Sequence, residues 1–203
     1  MDDRLDPGLD PARAQKIAAR DQLSTARRRL SLTDLREGAD AIARHVLASD
    51  LVRRSATVAA YVSVGTEPGT GPLLEGLAAA GKRVILPVVL PDLDLDWGVH
   101  TGDLEGSRGL LEPSGPRLGV DAIATADLVL VPGLAVDGSG MRLGKGGGCY
   151  DRALGRVPVG TPVCVVLHDH EVLDRVPAEP HDRPVNAVVT PAGLRPLPPR
   201  ARG

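Results

Sequence analysis

The chain alternates between short, unbroken apolar runs and longer stretches in which apolar residues recur at helical spacing. Unbroken runs of Val, Leu, Ile and Ala are typical of strands that a parallel sheet buries on both faces. They predict strands at 57–62, 82–89, 95–100, 127–131, 163–167 and 187–189. The stretch 101–120 is rich in Gly, Pro and Ser, so we expect it to be mostly loop.

Helix signals lie between these strands. Asp10 and Pro11 make a good helix start, with the acid as cap and the proline in the first turn, and we expect that helix to continue to about residue 30. The residues from Ser31 to Asp34 form a capping-box pattern that opens a second helix. A short amphipathic helix should end at Gly81, and another should occupy 150–155.

Strands that alternate with helices indicate an α/β fold, here a three-layer domain with a mainly parallel sheet flanked by helices. With 203 residues the chain is long enough for one sizeable domain and too short for two comfortable ones. We place this domain at 11–195, between a disordered tail at 1–10 and a loose, Pro- and Arg-rich tail at 196–203.

Composition excludes several classes of protein. The net charge of −2, with acids and bases mixed along the chain, argues against a nucleic-acid-binding surface. The first ten residues are acidic and polar, unlike a signal peptide, and no apolar run approaches the roughly 20 residues that span a bilayer. Two cysteines do not make a disulfide framework. We expect a soluble, cytoplasmic protein with no nucleic-acid and no membrane partner.

The segment 131–151, which reads VPGLAVDGSGMRLGKGGGCYD, carries the most informative pattern in the chain. Its seven glycines allow positive φ angles, so successive N–H groups can converge on one anion. Arg142 and Lys145 add positive charge at the same place, and a predicted helix follows. A loop of this composition before a helix predicts a phosphate-binding site.

The common phosphate motifs do not fit this loop. A Walker A motif would need glycine at position 139, which is Ser, and Ser or Thr at position 146, which is Gly. The dinucleotide fingerprint starts at Gly144 and Gly146 but then meets Cys149 where it needs glycine. A flexible surface loop without a ligand is the alternative, although interleaved charged and bulky residues are not typical of a linker.

As a whole, the segment resembles the signature of the 5-formyltetrahydrofolate cyclo-ligase (methenyltetrahydrofolate synthetase) family, approximately V-P-G-L-A-F-D-x-x-G-x-R-L-G-[YR]-G-x-G-Y-Y-D-R. The matching residues are Val131 to Ala135, Asp137, Gly140, Arg142 to Gly144, Gly146, Gly148 and Tyr150 to Arg152. The departures are Val136 for Phe, Lys145 for Tyr or Arg, and Cys149 for Tyr. Without these rings, we expect weaker packing on the pterin, or compensation from Trp97 or Tyr61.

The resemblance implies a nucleotide site. Lys16 and Arg20 match the family's K-x-x-L-R on the first helix and would approach the nucleotide; the alternative is a pair of solvated helix charges. The implied ATP-binding residues are Lys16, Arg20, Arg142, Leu143, Gly144, Lys145, Gly146, Gly147, Gly148, Cys149 and Tyr150. Arg142 and Lys145 would also be catalytic, because they would stabilise the negative charge that develops during phosphoryl transfer.

The resemblance also implies a folate site. Tyr61-Val62-Ser63 followed by Glu67 matches a family pattern in which the glutamate hydrogen-bonds the reduced pterin, while Val62 would give apolar contact. Glu67 follows a predicted strand, where open α/β sheets bind ligands. The implied substrate-binding residues are Val62, Glu67, Lys145, Gly146, Gly147, Gly148 and Cys149. We interpret Glu112-Pro113, which resembles another family element, as loop architecture.

A magnesium site follows from the same resemblance. The chain from Val176 to Thr190 follows V-P-x-E-x-[HN]-D-x-x-V-D-x-[IV]-[IV]-T, and Asp182 would hold Mg²⁺ together with Asp151. Mg²⁺ takes few protein oxygens beside phosphate and water; Asp151 would also favour a helix start through the helix dipole. We interpret the His-x-His sequence at 168–170 as a polar loop rather than a zinc site, because no Cys or third His stands at ligand spacing.

The implied activity is the ATP-dependent cyclisation of 5-formyltetrahydrofolate to 5,10-methenyltetrahydrofolate, with release of ADP and phosphate through a phosphorylated formyl intermediate. The cofactors would be ATP and Mg²⁺, and the partner a reduced formyl folate bound by a monomer. Two alternatives stay open. One is a folate- or nucleotide-binding paralogue without turnover, and the other is a sugar-phosphate or acyl-CoA enzyme of similar architecture.

Overall fold

The computed structural model describes residues 11–107, 109–179 and 182–198. Its helices are α1 (Pro11–Arg27), α2 (Leu32–Leu47), α3 (Asp50–Arg54), α4 (Gly71–Ala79) and α5 (Cys149–Leu154). Its strands are β1 (Thr57–Ala59), β2 (Arg83–Val89), β3 (Leu95–Val99), β4 (Leu104–Ser107), β5 (Leu110–Pro113), β6 (Leu128–Pro132), β7 (Ala135–Asp137), β8 (Arg142–Leu143), β9 (Val163–Val166), β10 (Val172–Leu173), β11 (Ala187–Thr190) and β12 (Gly193–Pro196). Two 3₁₀ turns lie at Val120–Thr125 and Asp169–Glu171.

A seven-stranded sheet in the order β12-β11-β9-β6-β1-β2-β3 runs through the centre of the protein. Its five inner strands are parallel, and β12 and β3 pair antiparallel at the two edges. A small sheet in the order β10-β7-β8 and the β4–β5 hairpin stand beside it. Each apolar run that predicted a strand forms one in this sheet.

Helices cover both faces of the large sheet. Alternate strand residues such as Val58 and Leu128 pack with Ile42 of α2 and Leu73 of α4. The strand residues next to them in sequence, such as Val129, point to the opposite face of the sheet. There they pack with Trp97, Ile123 and Leu154. The predicted α/β architecture with a mainly parallel sheet flanked by helices is confirmed.

The predicted capping box opens α2. Ser31 Oγ accepts a hydrogen bond from the Asp34 backbone N at 3.1 Å, and Asp34 Oδ2 accepts one from the Ser31 N at 3.1 Å. The first helix ends at Arg27, three residues before the expected position. None of the helices among the described residues is long and apolar enough to cross a membrane.

The stretch 101–120, expected to be mostly loop, contains a β-hairpin that the sequence did not indicate. Residues 104–107 pair with 110–113 in the β4–β5 hairpin, and Gly109 between the two strands has a φ of +78°. Glu112 holds the hairpin against the large sheet, because its Oε1 accepts a hydrogen bond from Val89 N at 2.9 Å. Turn residues therefore marked the ends of short strands rather than a loop.

The chain ends differ in part from the expected boundaries. Pro196 is the last residue of β12, and Leu197 packs into the core, so the segment expected to be a loose tail begins with ordered residues. The stretches 1–10 and 199–203, and His181 of the C-terminal pattern, lie outside the described residues.

Candidate active site

A cavity of about 320 Å³ opens at the carboxyl edge of the large sheet. The chain moves from β1 to β2 in one direction and from β6 through β9 to β11 in the other, so the strand order reverses between β1 and β6. Ligands of open α/β sheets bind outside the strand ends at such a point. Tyr61 and Val62 follow β1, Pro132 ends β6, and Gly133 comes next; all four line the cavity.

The glycine-rich loop, residues 144–148, forms one wall of this cavity. Gly146 and Gly148 have φ angles of +104° and +69°, which residues with a Cβ rarely adopt. Within the part of the chain that the structure describes, the amides of residues 144 to 148 donate no hydrogen bond. A row of unpaired N–H donors beside a cavity is suited to an anion such as phosphate.

Arg142 is buried behind this loop and braces it. Its Nη1 donates to the Pro132 carbonyl at 3.1 Å, and its Nη2 lies 3.1 Å from Asp151 Oδ1. The guanidinium also lies over the Tyr150 ring, 6.0 Å from the centroid. Arg142 therefore fixes the carboxylate of Asp151 and brings positive charge to the cavity wall.

Lys145 reaches across the cavity to the opposite wall. Its Nζ lies 2.6 Å from Glu67 Oε1. The Glu67 side chain is only 8% exposed, whereas that of Lys145 is 57% exposed. The second oxygen of Glu67 accepts a hydrogen bond from Val64 N at 2.8 Å. The ion pair thus joins a fixed carboxylate to an accessible cation.

Two cations of α1 line the same cavity. Lys16 is buried, and its Nζ lies 2.6 Å from both Glu179 Oε2 and Asp182 Oδ2. Arg20 Nε donates to the Gly144 carbonyl at 2.9 Å and so contacts the glycine-rich loop. For Lys16 the alternative of a solvated helix charge is wrong, because its side chain is buried and its ammonium group contacts two carboxylates from a distant part of the chain.

The hydroxyl groups of Tyr61 and Tyr150 are buried in the cavity wall without a hydrogen-bond partner among the described residues. Burial, and next the charge of Glu67, raises the pKa of both phenols well above the usual value. Both remain protonated donors. Of the two rings expected to compensate for missing aromatics, Tyr61 lines the cavity, whereas Trp97 is packed in the core.

A sequence profile of the 5-formyltetrahydrofolate cyclo-ligase family matches residues 12–191. The chain belongs to this family. It is 48% identical to the 5-formyltetrahydrofolate cyclo-ligase of Mycolicibacterium smegmatis over 142 residues, which cover 66% of this chain and 73% of that protein. It is 36% identical to the Escherichia coli protein of the same name over 147 residues, 67% of this chain and 78% of that one.

Solved structures agree with this family assignment. The 5,10-methenyltetrahydrofolate synthetase of Aquifex aeolicus superposes with a TM-score of 0.78 at 28% identity, covering 93% of this chain and 96% of that one. The synthetase of Mycoplasma pneumoniae, at 20% identity, has the same fold, with a TM-score of 0.70 over 87% of this chain and 98% of that one.

The cavity brings together every residue to which the cyclo-ligase resemblance gave an ATP-binding, substrate-binding or metal-binding role. The predicted ATP-binding, substrate-binding and metal residues that line it are Lys16, Arg20, Val62, Glu67, Arg142, Leu143, Gly144, Lys145, Gly146, Gly147, Gly148, Cys149, Tyr150, Asp151 and Asp182. Their individual roles remain predictions. Glu179 also lines the cavity and was missed, although the family pattern V-P-x-E contains that glutamate.

The structure also contains a buried polar network that the sequence analysis missed. Arg27 pairs with Glu171 and donates to the Gly133 carbonyl, while Glu171 accepts a hydrogen bond from His168 N at 2.9 Å. His168 Nε2 lies 3.1 Å from the Thr66 carbonyl, next to Glu67. No group of three or more His, Cys, Asp or Glu side chains that could hold a metal ion occurs among the described residues.

Proposed function

We propose that this chain catalyses the ATP-dependent cyclisation of 5-formyltetrahydrofolate to 5,10-methenyltetrahydrofolate, with release of ADP and phosphate. The observation that carries the proposal is the arrangement of one cavity, in which a loop with unpaired amides faces the buried carboxylate of Glu67. An anion site and a hydrogen-bond acceptor side by side suit a phosphate donor and a folate. The names of the M. smegmatis and E. coli relatives support the same reaction.

The folate half of the cavity would lie at the ends of β1 and β2. The edge of a reduced pterin is rich in N–H donors, which the carboxylate of Glu67 can accept. The hydroxyls of Tyr61 and Tyr150 would pair with polar atoms of the ligand, because a buried hydroxyl without a partner is costly. Val62 and Leu110 supply apolar surface.

The nucleotide half would lie against the glycine-rich loop. The amides of 144–148 and the cations Arg142 and Lys145 would hold the polyphosphate and stabilise the charge that develops on it. Arg20 would keep the loop in place through its bond to Gly144. One chain provides both halves of the cavity, so we propose that it works as a monomer.

The site fits a magnesium ion that is held mainly by phosphate and water. Asp151 and Asp182 both line the cavity, and Mg²⁺ takes one or two carboxylates beside a nucleotide. Asp151 would be oriented for this role by Arg142 and by Arg183 N, which donates to its Oδ1 at 3.2 Å. When bound, Mg²⁺ neutralises charge on the phosphate oxygens.

The chemistry requires no protein nucleophile. The oxygen of the N5-formyl group attacks the γ-phosphorus of ATP. The bond from that phosphorus to the β–γ bridging oxygen breaks, and ADP leaves. N10 then attacks the activated formyl carbon and loses its proton. The carbon–oxygen bond breaks, phosphate leaves with the former formyl oxygen, and the methenyl bridge remains. Positioning and charge stabilisation are the contributions of the protein.

The test is to mix the purified protein with 5-formyltetrahydrofolate and Mg-ATP and to follow the methenyl chromophore, omitting each component in turn. Product that depends on both ATP and Mg²⁺ is the expected result. Folate binding without product would favour the non-catalytic paralogue. Neither binding nor product would mean that the loop holds a different phosphate ligand, such as a sugar phosphate or an acyl-CoA.

Replacing Asp151 tests the metal assignment. Asp151→Asn keeps an oxygen for Arg142 and removes the charge, so the variant should need a higher Mg²⁺ concentration for half-maximal rate. Asp174→Asn, at an exposed aspartate outside the cavity, is the matched control and should titrate like the original protein. An unchanged Mg²⁺ titration of Asp151→Asn would remove Asp151 from the metal site.

A further inference from the structure

We infer that Lys145 couples the two halves of the site. Without ligands its ammonium group forms an ion pair with the Glu67 carboxylate. When nucleotide binds, the ammonium moves to the phosphate, and the Glu67 carboxylate becomes available to the folate. This inference rests on the proposed function and adds to it an order of events and a coupling between ligands.

The contacts of the ion pair show which partner can move. Glu67 is buried, and its Oε2 is held by Val64 N, so the carboxylate is fixed in the wall. The Lys145 side chain is more than half exposed and starts from a loop in which Gly146 has a φ of +104°. A lysine is a flexible point charge with four methylene groups, and it can change anionic partners without a change of fold.

The position of Lys145 creates competition for Glu67. Its Nζ lies 2.6 Å from Glu67 Oε1, at the oxygen that Val64 does not hold. A folate that donates hydrogen bonds to this carboxylate has to displace the ammonium. A polyphosphate on the amides of 144–148 offers that ammonium another anion on its own loop. Nucleotide binding therefore removes the competitor.

The other cations that line the cavity are anchored elsewhere. Arg142 is buried between Asp151 and the Pro132 carbonyl. Lys16 is buried between two carboxylates, and Arg20 donates to the backbone of the glycine-rich loop. Lys145 occupies a position where the family signature has Tyr or Arg, and a tyrosine there could not form this ion pair.

Binding measurements test the inference separately from turnover. We would measure the Kd of 5-formyltetrahydrofolate with and without a non-hydrolysable Mg-ATP analogue. In the original protein the analogue should tighten folate binding about threefold to fivefold, the range of a partly exposed ion pair. In Lys145→Met, folate alone should bind tighter than to the original protein by a similar factor, and the analogue should add nothing.

The reciprocal variant, Glu67→Gln, is tested by measuring binding of the nucleotide analogue without folate. In Glu67→Gln the ammonium is released in advance, so the analogue alone should bind about threefold tighter than to the original protein. Lys82→Met is the control of matched charge: Lys82 lies outside the cavity and donates to the Ser55 carbonyl, and its loss should leave both affinities and their coupling unchanged.

Two results would overturn the inference: tighter folate binding with the analogue that persists in Lys145→Met, or nucleotide binding by Glu67→Gln that is no tighter than the original. Either result, in a protein that forms product, would leave the proposed function standing. If the original protein binds neither ligand, the proposed function itself fails.

Discussion

Arg27 and Glu171 form a buried, two-contact ion pair behind the cavity: Nε lies 2.5 Å from Oε1, and Nη2 lies 2.9 Å from Oε2. The two side chains are 3% and 0% exposed. Arg27 Nη2 also donates to the Gly133 carbonyl at 2.6 Å, which ties α1 to the end of β6 at the cavity wall. The pair joins three parts of the chain that meet at the site.

We predict that Arg27→Met lowers the free energy of unfolding by about 3 kcal/mol, because it leaves the Glu171 carboxylate buried without its counter-charge. The double variant Arg27→Met, Glu171→Met should be more stable than Arg27→Met, since it removes both charges. Urea unfolding measures both. Arg28→Met, at the exposed neighbour, is the control. A loss within about 0.5 kcal/mol of that control would show that the pair is unimportant for stability.

We predict that His168 makes the free energy of unfolding depend on pH. Burial lowers its pKa, against the opposing effects of the Thr66 hydrogen bond and the Glu171 charge; Arg27 and His170 lower the pKa further. A carbonyl can only accept, so Nε2 carries the proton in the bond to Thr66. The unfolded histidine therefore takes up a proton at a higher pH than the folded one, and folding is weakened as the pH falls below about 6.5.

The measurement for His168 is the urea midpoint at pH 7.5 and at pH 5.5. The original protein should lose more stability between these values than His168→Gln, which cannot take up a proton there but retains an N–H donor. His170→Gln, in the stacked neighbouring ring, should retain the steeper loss. Equal losses in the original protein and His168→Gln would show that this histidine does not titrate as argued.

The features that the sequence predicted correctly are those that short stretches of consecutive residues determine. Runs of β-branched and aliphatic residues located the strands of the large sheet, and Ser31 with Asp34 located the start of α2. The glycine-rich loop located one wall of the cavity, since composition alone indicates backbone that can bind an anion. Each of these signals is contained in a few consecutive residues.

Two of the features that were missed depend on distant partners, and the third, a local hairpin, carries no apolar pattern. Arg27 and Glu171 are 144 residues apart, and no periodicity links a helix residue to a 3₁₀ turn that far away. The β4–β5 hairpin pairs Glu105 with Glu112 and has no apolar alternation to show it. The contact of Lys145 with Glu67 likewise arises only when the loop is folded over the end of β1.

Gly140 should be irreplaceable in the glycine-rich segment. It has a φ of +81° in the turn between β7 and β8, and a Cβ there would overlap the Val185 carbonyl oxygen. Val185 N also donates to the Gly140 carbonyl at 2.8 Å, so the two backbones cannot separate without loss. We expect Gly140→Ala to cost about 2 kcal/mol or more.

Gly138→Ala is the matched control for this substitution. Gly138 is two residues away, and a Cβ there would meet nothing within 4 Å. Urea unfolding of the two variants should separate them by about 2 kcal/mol, with Gly138→Ala close to the original protein. Equal stabilities would mean that the turn relaxes to accept a side chain at Gly140.

Tyr61→Phe should separate folding from binding. The Tyr61 hydroxyl is buried without a partner among the described residues, so its removal should leave the free energy of unfolding unchanged or raise it by up to about 1 kcal/mol. Burial and the Glu67 charge keep the phenol protonated, so it can donate to a polar atom of the folate. The variant should therefore bind 5-formyltetrahydrofolate about fivefold to tenfold more weakly. Unfolding with and without folate measures both effects, and a less stable free variant with unchanged folate affinity would mean that the hydroxyl serves the fold rather than the ligand.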